Sequence, residues 1–145
     1  MLERNGPHKF PDLLSKAPNT EDVEIKIALE DNSPKGHLAK EGYYLTCRYV
    51  LGDIDGTYTR GKENRGNVAW IWEIRFGWLD LEDFNLSNTP GDSGKTAVIK
   101  GAAHERLSLV YCDLDYFPYP KTSRARKYKD YYRLVHGTTP PSFDA

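Results

Sequence analysis

Two acidic pairs, Asp53-Ile-Asp55 and Asp113-Leu-Asp115, are the residues with the clearest capacity for chemistry, because alternating carboxylates on a strand end point to one side. Brought together at one rim, the four would repel strongly enough to hold a divalent cation or to raise a carboxyl pKa. His104 lies near the second pair in sequence and could act as its acid or base partner, with Asp113 or Asp115 orienting it. The candidates are therefore His104, Asp113 and Asp115 for catalysis, and Asp53, Asp55, Asp113 and Asp115 for metal. Spacing alone assembles neither set. Asp53-Ile-Asp-Gly56 lacks the bidentate glutamate of a calcium loop, since Asn64 stands at its twelfth position.

Other motifs carry less. Gly94-Lys-Thr96 matches the end of a phosphate-binding loop, but Thr89 occupies the position of the required first glycine, and Ala97-Val-Ile99 reads as strand where a helix must follow. His8, His37, His104 and His136 are far apart and never at metal-finger spacing. Cys47 and Cys112 lie inside strand patterns with no neighbouring histidine, so they read as buried thiols without nucleophilic activation. No serine sits in a nucleophile elbow, and no cofactor is implied. The basic, tyrosine-bearing run Lys121 to Arg133 would suit single-stranded nucleic acid, yet its tyrosines share one helical side, which fits packing against a sheet better.

The elements that must position these residues are mostly strands. In Asn67 to Leu79 the even positions Val68, Trp70, Trp72, Ile74, Phe76 and Trp78 are apolar while Glu73 and Arg75 are charged, which predicts a long strand with all three tryptophans on one buried face and a bend near Gly77. Val23 to Leu29 alternates the same way, with its odd positions inward. Gly42 to Leu51 presents Tyr43, Leu45, Cys47, Tyr49 and Leu51 on one face and Tyr44, Thr46 and Arg48 on the other. Thr96 to Lys100 and Arg106 to Asp115 add two strands, with Gly101 to Glu105 as a turn between them and Asp80 to Lys95 as a polar loop. Residues 1–22 read as a lead-in arm, and 123–136 as one C-terminal helix with Tyr128, Tyr131, Tyr132 and Val135 on one side.

The expected fold is a single mainly β domain over residues 1–145: an antiparallel sandwich or open barrel of five to seven strands with one short C-terminal helix. A chain of 145 residues, 12% aromatic, can bury a core without staples. A net charge of -1 argues against nucleic acid as a partner, and no apolar run is long enough to span a bilayer. The expectation is a soluble, cytoplasmic protein, with a secreted mature form as the alternative. With no assembled chemistry and ten tyrosines, the chain reads first as a non-enzymatic interaction module that meets a protein partner through loops or a sheet edge; a small inhibitor or neutralising protein is one form of this. Tyr44, Arg48, Tyr58, Arg60, Tyr116 and Tyr119 are the expected contact residues. The rival readings are a metal-dependent enzyme or small-molecule binder built on the acidic rim with His104, and a carbohydrate-binding module using exposed aromatics. The tryptophans discriminate: a flat exposed row supports glycan recognition, and a buried row does not.

Overall fold

The computed structural model describes residues 1–7, 9–55, 66–87 and 96–113. Among these residues nine strands form two sheets. The larger takes β1 (Leu2–Arg4), β2 (Leu13–Ser15), β3 (Val23–Leu29), β5 (Gly42–Gly52), β6 (Val68–Leu79) and β9 (Ser108–Cys112), in the order β1-β2-β3-β5-β6-β9. The smaller takes β4 (Lys35–Gly36), β7 (Phe84–Ser87) and β8 (Thr96–Ile99), in the order β4-β8-β7. A short helix, α1 (Gly101–Arg106), joins β8 to β9. The expected helix over 123–136 lies outside the described residues, as do Tyr58, Arg60, Asp115, Tyr116, Tyr119, His8, His136 and the loop through Gly94-Lys95.

The chain is mainly β, and neither sheet closes into a barrel. It is not wholly antiparallel, however. Strand β3 pairs parallel with β5, Val23 opposite Tyr43 through Leu29 opposite Tyr49. The twelve residues between them supply the crossover that a parallel neighbour requires, and they carry β4 into the other sheet on the way. The lead-in arm is likewise structured: β1 and β2 form an antiparallel ribbon, and Leu13 pairs with Val23 at the edge of β3. Phe84 ends the expected polar loop early, because it is buried at the start of β7.

The small sheet and α1 cover one face of the large sheet. Between them, Tyr44 and Leu79 pack with Phe84, Ala97, Ile99, Ala103 and Leu107, and Phe10 lies against this cluster. Helix α1 is too short to show periodicity, but Ala102 and Ala103 favour it. Its inner side seats Ala103 and His104 in the core.

A register shift in the β5–β6 pair decides which side chains face that core. Arg48 lies opposite Glu73 and Tyr49 opposite Ile71, so Trp72 is the extra residue of a bulge. On either side of a bulge the facing parity changes. Before it, Trp72 is inside and fully buried, with its indole Nε1 donating to Glu30 O at 2.9 Å. Glu30 reaches that position through a left-handed φ of 56°. After it, the inward residues are Glu73, Arg75, Gly77 and Leu79, while Ile74, Phe76 and Trp78 turn to the other face. The three tryptophans therefore do not share one buried face: Trp72 is fully buried and Trp78 is 48% exposed. The distortion falls at Trp72, with a second one against β9 between Ile74 and Arg75, rather than near Gly77.

Where β5 ends, Gly66 lies against Gly52: a β-carbon at Gly66 would come within 1.8 Å of Gly52 O. Gly66→Ala is expected to force the backbone apart and cost about 1–3 kcal/mol of stability in urea unfolding. Gly101→Ala is the control, because a β-carbon there meets nothing within 4 Å and alanine favours the first turn of α1. Equal losses in the two variants would show that the contact at Gly66 is unimportant.

Candidate functional site: a buried ionic cluster and an apolar sheet face

Because of the bulge, the inner face of the large sheet collects charge. Glu73 is 1% exposed and Arg75 8%, and the two are joined by Arg75 Nε donating to Glu73 Oε2 at 3.1 Å. Arg48 reaches the same carboxylate from β5, with Nη1 3.4 Å from Oε1. Both guanidiniums are also held by backbone carbonyls: Arg75 Nη1 donates to Leu107 O at 2.9 Å and Glu105 O at 3.3 Å, and Arg48 Nε donates to Asn32 O at 3.1 Å. Arg48 further lies over the Trp72 ring at 5.8 Å. The cluster thus ties β5, β6 and the end of α1 into one unit.

His104 completes it from the helix. Its Nε2 shares a 2.9 Å hydrogen bond with Thr46 Oγ1 and lies 3.8 Å from Glu73 Oε1. Burial pushes the imidazole pKa down, and the positive charges of Arg48 and Arg75 push the same way, to about 3. The carboxylate of Glu73 does not reverse this, since two guanidiniums already share its charge. His104 is therefore neutral at pH 7 and 2% exposed, and Thr46 is 1% exposed. Hydroxyl, imidazole and carboxylate do lie together here, and all three side chains are buried. What the arrangement can do is hold the two layers in register.

Among the described residues, Asp53 and Asp55 do not meet Asp113. Strands β5 and β9 each run antiparallel to β6, so they run parallel to each other with β6 between them. Their ends point the same way. Yet β5 ends opposite Val68 and β9 opposite Glu73, which separates Asp53 from Asp113 by about 15 Å along the sheet. Asp53 is occupied locally, its Oδ1 accepting from Asp55 N and its carbonyl from Trp70 Nε1. Asp113 N donates to Trp72 O. Among the described residues no three His, Cys, Asp or Glu side chains gather as metal ligands.

Two expected contact residues also prove internal. Tyr44 is fully buried, with its hydroxyl donating to Lys40 O at 2.7 Å, and burial foremost raises its pKa to about 12. Arg48 belongs to the ionic cluster. Both lie on the inward parity of β5, so neither side chain is placed to meet a partner. Thr96 opens β8 rather than the helix that must follow a phosphate loop.

Cys112 is buried and Cys47 half-buried. Burial foremost, then the Glu73 charge, raises both thiol pKa values. At pH 8 Cys112 of the native protein is expected to react slowly with a thiol-specific disulfide reagent, and to react fully on unfolding in urea. Fast native reaction of Cys112 would contradict its burial.

The feature that sequence reasoning missed lies on the opposite side of the large sheet. Ile25 and Ile27 of β3, Tyr43, Leu45, Cys47 and Tyr49 of β5, and Ile71, Ile74, Phe76 and Trp78 of β6 share this outer face, as the strand registers require. Ring packing knits it together: Tyr43 stacks on Phe76 with centroids 5.5 Å apart and meets Trp78 edge-on at 5.1 Å. Most of these residues are half-buried, but Ile27 is 63% and Ile71 43% exposed. This is the face that alternation marked as core, and the structure leaves its apolar side chains reachable. Compared with protein-family models, with curated proteins and with solved structures, the chain matches none.

Proposed function

We propose that this chain is a non-enzymatic interaction module that binds a protein partner through the apolar outer face of its large sheet. The exposure of Ile27, Ile71 and Trp78 on one sheet face carries the reading, because apolar side chains left exposed together on one face mark interaction sites. Aromatic residues, which dominate interface energetics, line the same face. The inaccessibility of the Thr46, Glu73 and His104 group supports a non-catalytic role. Glycan recognition is less favoured, since the tryptophans do not form one flat row.

A photo-reactive amino acid placed at Ile27 or at Ile71, with Lys35 in the small sheet as control, tests this in extract of the source cell. The expected result is one shared protein adduct from the first two positions and none from Lys35. Equal labelling at all three sites, or no adduct at any, would reject the proposal.

A further inference from the structure

We infer that the cavity where the lead-in arm meets β3 and the segment after β4 is a binding site for a small phosphomonoester. It lies on the inner side of the large sheet, beside β4 at the edge of the small one. It is therefore separate from the outer face proposed to meet a protein, and the two readings stand or fall independently.

The walls of the cavity are set by the fold. Glu24 and Lys26 occupy the inward parity of β3, opposite Tyr44 and Thr46 of β5. Gly36 of β4 leaves room for the Lys26 stem, since a β-carbon there would lie 3.0 Å from Lys26 Cε, and the ammonium pairs with Glu24. Phe10 is fixed from behind: it packs against the core cluster and lies tilted against Tyr44, with ring centroids 6.3 Å apart. Lys9 precedes it, and His37, Leu38 and Lys40 come from the chain between β4 and β5. The space between these residues is about 250 Å³.

Charge decides what the space suits. Its two carboxylates are already engaged. Glu24, 6% exposed, takes the Lys26 ammonium on Oε1 and the Asp12 amide on Oε2 at 3.1 Å, while Asp12 Oδ2 accepts from Ile25 N at 2.8 Å. Among the described residues neither Lys9 nor Lys40 has a carboxylate partner, and the Lys40 ammonium lies 4.8 Å from the Phe10 ring centroid. The His37 ring has no hydrogen-bond partner among them either. Two uncompensated ammoniums and an imidazole thus line the cavity beside a phenyl ring and a leucine side chain. A phosphomonoester carries close to two negative charges at neutral pH and three strong acceptor oxygens, and lysine binds phosphate as a point charge. The volume is below the roughly 300–1,000 Å³ of sites for drug-sized ligands, which limits the organic part to a few carbons lying on Phe10 and Leu38. A free phosphorylated metabolite and a phosphorylated side chain of a protein both offer this chemistry.

The test uses the isotope-labelled full chain, titrated at fixed ionic strength with glycerol phosphate and, separately, with a blocked phosphoserine, and followed by heteronuclear NMR. The expected result is saturable binding at millimolar concentration or below, with the largest shifts at Phe10, His37, Leu38 and Lys40. Lys9→Gln with Lys40→Gln should weaken it about tenfold or more. Lys16→Gln is the control, because Lys16 is exposed and pairs with Glu3 outside the cavity, and it should leave binding unchanged. Lys9→Gln alone supplies the same comparison if the double variant melts lower than the parent. Tighter binding of glycerol phosphate assigns the site to a metabolite, and tighter binding of the blocked phosphoserine assigns it to a phosphorylated protein; either supports the inference. No saturable shift, shifts centred away from the cavity, equal shifts with sodium sulfate and sodium acetate, or equal weakening in Lys16→Gln would overturn it.

Discussion

Glu73→Gln is expected to destabilise the folded chain by about 3–5 kcal/mol, measured as a shift of the urea midpoint at pH 7. The substitution keeps the shape of the side chain and removes its charge. Arg75, 8% exposed, and Arg48, with its side chain 11% exposed, would then face each other across a buried site without the carboxylate that both contact. Desolvation of the two guanidiniums is a cost already present in the fold, and the attraction that offset it is lost. A double-mutant cycle with Arg75→Gln should show coupling above about 1 kcal/mol, because the two groups share one network. A loss below about 1 kcal/mol for Glu73→Gln would mean that water enters the cluster and that it does not lock the layers.

The second large effect is on pH dependence. His104 has a folded pKa of about 3, below its ordinary value of 6.5, so the unfolded chain binds a proton that the folded one refuses. Stability from this residue is complete above pH 6.5 and falls as pH drops toward 3, by about 1.4 kcal/mol per pH unit within that window. The groups facing the imidazole are Thr46, Glu73, Arg48 and Arg75, and a proton there would add a third positive charge beside one carboxylate. Asp83 also favours its charged form. Burial works against that, but hydrogen bonds from Arg106 and the Asp80 amide, with the Arg106 and Lys100 charges, lower its pKa below 3.8. Its contribution is lost only below 3.8, so urea unfolding between pH 6.5 and pH 4.5 separates His104 from Asp83. His104→Gln, which can still hydrogen-bond Thr46, should flatten the profile over that range. An identical slope in the variant would place the acid sensitivity elsewhere.

Strand positions were legible because alternation and punctuation act locally. The strand Val23–Leu29 forms over the span the pattern implies, although Ile25 and Ile27 face outward and Glu24 is buried, and the strands predicted from Gly42 and from Asn67 to Leu79 differ from β5 and β6 by a residue at one end. Three things were not local. The parallel pairing of β3 with β5 depends on a crossover through the second sheet, and a Pro- and Gly-containing linker looks the same whether it returns as a hairpin or crosses over. Helix α1 spans six residues, fewer than two turns, which leaves no period to detect. The separation of Asp53 from Asp113 depends on β9 ending opposite Glu73, a register that neither strand encodes alone.

The amino-acid sequence by itself determined the class of fold and the two-sided character of each long strand, since these follow from side-chain polarity at a period of two. Only the tertiary structure decided which side is inside. Trp72 occupies a bulge, one added residue reverses the parity of everything after it, and so Glu73 and Arg75 enter the core while Phe76 and Trp78 leave it. Burial of that charge is tolerable only because Arg48, Thr46 and His104 arrive from β5 and α1 to meet it. Those partners are 25 or more residues away from Glu73 in the chain, and no pattern within one strand can announce them. The small sheet and α1 cover the opposite face, so a row read as core is left as a reachable apolar face, which is why the candidate site emerged from tertiary packing and not from motif.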